Sequence, residues 1–204
     1  MTTRHDVLKI ERWLVVCFDM CSSSMMLEDL RETGNLRELR NLLISVKAYL
    51  HGRCKNQEFI VYKFIGDGWI LLFPRRVHGV YLMELLTGLS KRFRERYEAS
   101  VAPRLHEKPR VVGLTFGIDE GRLVRFEMTG RVEFIGRALN IASRLQSAIK
   151  DKDHNPSYKA LVSKHVYQEM RLDGEGYRTK KVTRRLRNIH GGRKRSYIKV
   201  MLPV

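Results

Sequence analysis

The apolar positions of this chain fall into short blocks with two periods. Trp13-Leu14-Val15-Val16-Cys17-Phe18 is almost continuous, the pattern of a strand buried on both faces. Ser22-Ser23-Ser24 come next, and serines ahead of Met25-Met26-Leu27 predict a helix start, with Ser24 and Glu28 close to a capping box. Leu36, Leu39, Leu42, Leu43 and Val46 recur at helical spacing, after a break at Gly34-Asn35 and before a stop at Gly52. Two β-rich runs, 58–65 and 69–73, flank Gly66-Asp67-Gly68 and predict a hairpin.

Residues 80–97 form an amphipathic helix with a basic outer face, and Pro103 and Pro109 mark the loop after it. Residues 111–118 and 121–128 predict two strands joined at Asp119-Glu120-Gly121. Residues 138–149 predict a helix, 151–158 a polar loop and 160–163 a short strand. A helix at 165–170 and two basic strands, near 178–186 and 197–202, close the chain. The order β-α-β-β-α-β-β-α-β belongs to an α+β domain with a mainly antiparallel sheet covered by helices.

Composition narrows this further. With 204 residues, 43% of them apolar, and no repeat or low-complexity linker, the chain is expected to form one domain over 1–204. No apolar run is long enough to span a bilayer, and the start carries charges where a signal peptide needs apolar residues. Cys17, Cys21 and Cys54 show no metal-ligand spacing and read as reduced thiols, so a cytoplasmic protein is expected. The formal net charge of +17 favours polyanionic partners, and its densest stretch is the basic run in the last thirty or so residues.

Candidate chemistry stands at the ends of elements. Asp19 closes the first buried strand and Asp67 sits at the hairpin tip. Each has a plain alternative, a helix cap and a turn residue. On adjacent central strands, however, the two carboxylates form a hard oxygen site for divalent cations carrying a triphosphate. Asn140 and Arg144, four apart on one helix face, can orient a ribose and clamp a phosphate.

Together these segments resemble the class III adenylyl/guanylyl cyclase catalytic domain, a ferredoxin-like fold. Phe18-Asp19-Met20 looks like its metal-binding strand end, and Lys63-x-x-Gly66-Asp67 matches its hairpin. Phe116-Gly117-Ile118-x-x-Gly121 looks like its next hairpin, and Gly136-x-x-x-Asn140-x-Ala142-x-Arg144-Leu145 matches its helix. The resemblance implies two Mg²⁺ or Mn²⁺ ions per site, held by Asp19, Asp67 and the Met20 carbonyl. It implies a homodimer with shared active sites, one subunit supplying the aspartates and the other Asn140 and Arg144. Ser22, Ser23 and Ser24 would offer backbone N–H groups to the triphosphate. The family's C-terminal phosphate-binding lysine has three candidates here, Lys180, Lys181 and Lys194, and no motif selects one.

By the same resemblance Lys63 and Glu133 read the base. A donor beside an acceptor rejects guanine and suits adenine or cytosine, with uracil fitting less well. Glu133 could equally be a plain ion-pair partner of Lys63. Asp19-Met20-Cys21-Ser22-Ser23-Ser24 and the aromatic hairpin resemble the bacterial pyrimidine cyclases of the Pycsar anti-phage systems, which make cyclic CMP or cyclic UMP. Tyr49 or Tyr62 is a candidate for narrowing the pocket toward a small base. The expected activity is therefore cyclisation of CTP or UTP to a 3′,5′-cyclic monophosphate and pyrophosphate. An adenylyl cyclase is the nearer alternative. A non-catalytic basic nucleic-acid-binding module is the other, supported by the charge but lacking an aromatic-plus-basic strand motif.

Overall fold

The computed structural model describes residues 8–54, 59–75, 77–150, 153–172, 175–187, 189, 191 and 193–204. Strand β1 (Lys9–Met20) leads into helices α1 (Ser23–Glu32) and α2 (Leu36–Cys54). The hairpin β2 (Ile60–Ile65) and β3 (Gly68–Pro74) precedes α3 (Gly79–Arg96), which ends in a π turn at Tyr97–Val101 and a 3-10 turn at Ala102–Arg104. Next come β4 (Leu114–Met128), β5 (Arg131–Ile135), α4 (Arg137–Lys150), β6 (Lys159–Ser163) and α5 (Lys164–Met170). β7 (Arg178–Arg185) and β8 (Lys194–Met201) complete the fold.

The strands form one sheet in the order β2-β3-β1-β4-β6-β8-β7, with β5 attached to β4. Only β4 and β6 run parallel; the other pairs are antiparallel. Helices cover both faces, which explains the unbroken apolar run of β1. Leu14, Val16, Phe18 and Met20 pack with residues of α1, α2 and α3. Val15 and Cys17 face the other way, against Ala138 and Ala142 of α4. A further cluster joins α4 to β6, β7 and β8 through Leu145, Leu161, Val182 and Tyr197.

Four expectations are corrected. Residues 111–118 and 121–128 are not two strands: β4 runs unbroken through Asp119-Glu120-Gly121, all paired with β1. The ladder satisfies their backbones, Ser163 donates to Asp119, and Arg12 and Arg75 each lie 3.7 Å from Glu120, so polar residues are tolerated in mid-strand. The hairpin lies further on, at Thr129-Gly130, whose φ angles of 51° and 74° give the turn into β5, a strand not foreseen. The serines do open a helix, as expected, but Ser24 is not its cap: α1 begins at Ser23. Ser22 is its N-cap, left-handed at φ 58°, and its hydroxyl donates to Val111 O at 2.8 Å instead of capping the helix. Pro103, expected in a loop, stands in the 3-10 turn. Glu58, Asp151 and Lys152 of the expected elements lie outside the described residues.

Candidate active site

The register of the central strands brings the two aspartates together. Phe18 pairs with Trp69 of β3, so Asp19 stands one residue beyond, beside the β2–β3 turn that carries Asp67. Gly68 makes this approach possible: a Cβ there would lie 2.1 Å from Phe18 O and 3.1 Å from Asp19 Cα. A cleft of about 350 Å³ results, lined by Asp19, Asp67, Trp69, Cys17 and, from α4, Ser143 and Gln146.

Within it Asp19 Oδ1 and Asp67 Oδ2 are both buried, and Asp67 Oδ2 has no hydrogen-bond partner among the described residues. A buried carboxylate oxygen without a donor costs about 1–3 kcal/mol, which a hard cation removes. The donor set therefore fits Mg²⁺ or Mn²⁺. Among the described residues no group of three or more His, Cys, Asp or Glu side chains could hold a metal, so a cation at this pair must complete its shell with carbonyl, water or substrate oxygens. Burial pushes the neighbouring Cys17 thiol up to about 12, which makes it an inert wall.

Two residues beneath the cleft carry no sequence signal of their own. Thr115 pairs with Asp19 across the β1–β4 ladder, and its Oγ1 lies 3.4 Å from Asp19 O. The buried Gln146 donates from Nε2 to that same Oγ1 at 2.7 Å. A polar side chain thus ties α4 to the strand end that bears the carboxylate.

The second group forms around Glu133 of β5. Lys63 Nζ lies 3.1 Å from Glu133 Oε2 and 3.4 Å from Oε1. Tyr62 Oη also donates to Oε2, while accepting the Phe134 N–H at 3.0 Å. Consecutive strand residues normally point to opposite faces. Tyr62 and Lys63 reach one carboxylate because the β2–β3 register shifts between Val61 and Lys63, a bulge that re-aims the Tyr62 side chain. β5 reaches them because Phe134 packs onto Val15, Cys17 and Leu72, turning β5 onto the α4 face of the sheet, where Tyr62 meets the Phe134 ring edge-on at 5.1 Å. The hydrogen bonds from Tyr62, and then those from Lys63, hold the Glu133 carboxyl below its ordinary value. Tyr49 belongs elsewhere, over Gly88 at the α2–α3 groove.

Asn140 and Arg144 share the exposed side of α4 and do not line the aspartate cleft, while Ala138, Ala142 and Leu145 turn inward. Ser22 and Ser23 are half-buried and Ser24 is exposed at the start of α1. Lys180, Lys181 and Lys194 are exposed on β7 and β8 and are absent from the cleft lining. One chain thus brings together the aspartates, and separately the Tyr62–Lys63–Glu133 group, but leaves Asn140 and Arg144 facing outward.

No family model and no curated protein sequence matches the chain. Its structure does match solved ones. The guanylyl cyclase Cya2 superposes with a TM-score of 0.72 at 14% identity, over 95% of this chain and 93% of that one. The adenylyl cyclase CyaB from P. aeruginosa gives 0.70 at 18% identity, over 96% of each. The catalytic core of a rhodopsin-guanylyl cyclase with converted specificity, in complex with ATPαS, gives 0.61 at 16% identity, over 96% of this chain and 99% of that one. The chain has the fold of the adenylyl and guanylyl cyclase catalytic domains.

Proposed function

We propose that this protein is a nucleotidyl cyclase that converts a pyrimidine nucleoside triphosphate, CTP or UTP, to its 3′,5′-cyclic monophosphate and pyrophosphate. The observation that carries the reading is the pair of buried carboxylate oxygens on Asp19 and Asp67, in a fold shared with cyclase domains.

Asp19, Asp67 and the Met20 carbonyl would hold the divalent ions. Cations bound there supply charge that neutralises the triphosphate and acidifies the attacking 3′-hydroxyl. What remains for the protein is positioning, since phosphoryl transfer depends mainly on alignment and charge. Asn140 orients the ribose and Arg144 clamps the phosphates. Backbone N–H groups at Ser22, Ser23 and Ser24 would face the polyphosphate, a role supported by their place at the start of α1. Lys63 and Glu133 read the base, with Tyr62 holding Glu133 in place.

The outward face of Asn140 and Arg144 supports a homodimer in which each site draws on both subunits. So does the apolar surface near the two groups: Phe64 and Ile65 on the hairpin, and Met128, Val132 and Ile135 on the β4–β5 arm, are each 42–56% exposed. The likeness to Pycsar cyclases carries the further reading that the product is a second messenger in anti-phage defence.

A Lys–Glu pair offers a donor and an acceptor, which suits the ring nitrogen and amine of cytosine. Adenine presents the same edge, so an adenylyl cyclase remains the second reading. Purified protein is incubated with Mn²⁺ and each of ATP, CTP, GTP and UTP, and cyclic products are identified by mass. Cyclic CMP supports the pyrimidine reading and the base contacts. Cyclic UMP keeps the first and overturns the second, whereas cyclic AMP alone makes the chain an adenylyl cyclase. Absence of product with every triphosphate, alongside salt-dependent binding to nucleic acid, favours the basic binding module.

A further inference from the structure

A cavity of about 660 Å³ lies apart from the aspartates, larger than their cleft and sharing no lining residue with it. It is enclosed by the middle of β4, the first turn of α4, the β6–α5 junction and β8. Its floor holds Asp119, 2% exposed, which accepts a hydrogen bond from Ser163 and lies 3.8 Å from His165 Nε2. Exposed cations stand around the opening: Arg122, Arg137, Lys164 and Arg195.

Three of these charges are poorly compensated. Arg122, Lys164 and Arg195 form no salt bridge with any described residue. Arg195 is paired in register with Arg184 of β7, and like charges opposite one another weaken a sheet. Arg184 Nε is itself buried without a hydrogen-bond partner among the described residues. The two carboxylate residues of the lining offset little of this: Asp119 is almost fully covered and already engaged by Ser163, and Glu120 is held by Arg12 and Arg75. Burial pushes the Asp119 carboxyl up, against the opposing pull of Ser163, His165 and Arg137.

We infer that this cavity binds a small phosphate-bearing anion, with Arg122, Arg137, Lys164 and Arg195 as its cationic partners. Guanidinium groups suit the planar, two-point recognition of phosphate oxygens, and the volume lies in the range of small-ligand sites. The site is independent of the cyclase reading and is read without turnover.

The probe is inorganic pyrophosphate, titrated calorimetrically into the full chain in EDTA so that no divalent ion serves the Asp19–Asp67 cleft. Saturable binding is expected. The double variant Lys164→Glu/Arg195→Glu should bind at least about tenfold more weakly. Asp19→Asn/Asp67→Asn and the remote charge reversal Lys91→Glu, on exposed α3 surface, should keep the wild-type affinity. The inference is overturned by absence of saturable binding, or by wild-type affinity in the Lys164/Arg195 variant. An equal loss in Lys91→Glu overturns it too, since the binding would then follow net charge. Loss in the aspartate variant alone would place the anion in the other cleft. If the Glu variants melt early, Lys164→Gln/Arg195→Gln is judged by the same criteria.

Discussion

The Tyr62 hydroxyl serves two groups, donating to Glu133 and accepting from the Phe134 backbone. Tyr62→Phe removes both bonds while keeping the ring that packs on Phe134. It should cost about 1–2 kcal/mol, seen as a lower melting temperature, because Phe134 N–H loses its acceptor. In a working cyclase the same change frees Glu133, so KM should rise and discrimination between bases should fall, while kcat changes less. A variant with unaltered base preference would remove Tyr62 from the reading of the base. The aspartates act differently. Asp19→Ala or Asp67→Ala should abolish product at every metal concentration tested yet leave the circular dichroism spectrum intact, since each removes a carboxylate at the rim of the sheet and, for Asp67, one whose buried Oδ2 has no hydrogen-bond partner among the described residues. Retained turnover in either variant would end the two-metal reading.

Between elements, contact depends on what is small. A Cβ at Gly117 would lie 1.9 Å from Ala142 O and 2.4 Å from Gln146 N, so α4 rests directly on the backbone of β4. Gly117→Ala must push the helix away, and the expected cost is about 3 kcal/mol or more, measurable by chemical unfolding. The β6–β8 pair, inside the sheet, is held by charge as well as by its ladder. Asp153 accepts from Lys199 Nζ at 2.7 Å and from Lys159 Nζ at 3.1 Å, with 13% of its side chain exposed. Burial alone would raise this carboxyl, but the bonds from Lys199 and Lys159 outweigh it and hold it below the usual aspartate range. A depressed carboxyl adds stability above its unfolded pKa, near ~4, and that stability fades as pH falls through the folded value. Asp153→Asn should therefore lose about 1–2 kcal/mol at neutral pH. Its stability should also fall less steeply on acidification than that of the wild type.

At the scale of the whole molecule the proposal turns on shared sites. If Asp19 and Arg144 serve one site from two subunits, inactive Asp19→Ala and inactive Arg144→Ala should complement when co-refolded. Each mixed dimer then has one intact site and one doubly damaged one. Random pairing makes half the dimers mixed, so about a quarter of wild-type activity should return. No recovery would mean that both residues act within one chain, or that neither acts. Phe64→Glu, on the exposed hairpin, should weaken self-association without altering the monomer's fold. Analytical ultracentrifugation reads this directly. No helix among the described residues is long and apolar enough to cross a membrane.

Much of the fold was legible because burial writes itself into local pattern. The continuous run of β1, the hairpin around Asp67 and the helical spacing of α2 and α4 each report how many faces an element buries, and all four stand as expected. The resemblance to class III cyclases was read from four strings of residues; of these, 116–121 lies in the unbroken β4 and not in a hairpin, while the sheet places Asp19 beside the turn of Asp67 as adjacent strands require. Other features depend on partners distant in sequence. Asp119-Glu120-Gly121 looked like a turn because only Ser163, Arg12 and Arg75, supplied by other elements, make two acids tolerable in mid-strand. The meeting of Tyr62 with Glu133 needed a bulge and the fold-back of β5, neither of which has a period to detect. By itself the sequence determined most of the strands and helices, though neither β5 nor the unbroken course of β4, and which carboxylates stand at the end of β1 and at the hairpin tip, since those follow from local burial and spacing. Only the tertiary structure decided which side chains hold one another, because that depends on where separate elements cross and on how closely their backbones can approach.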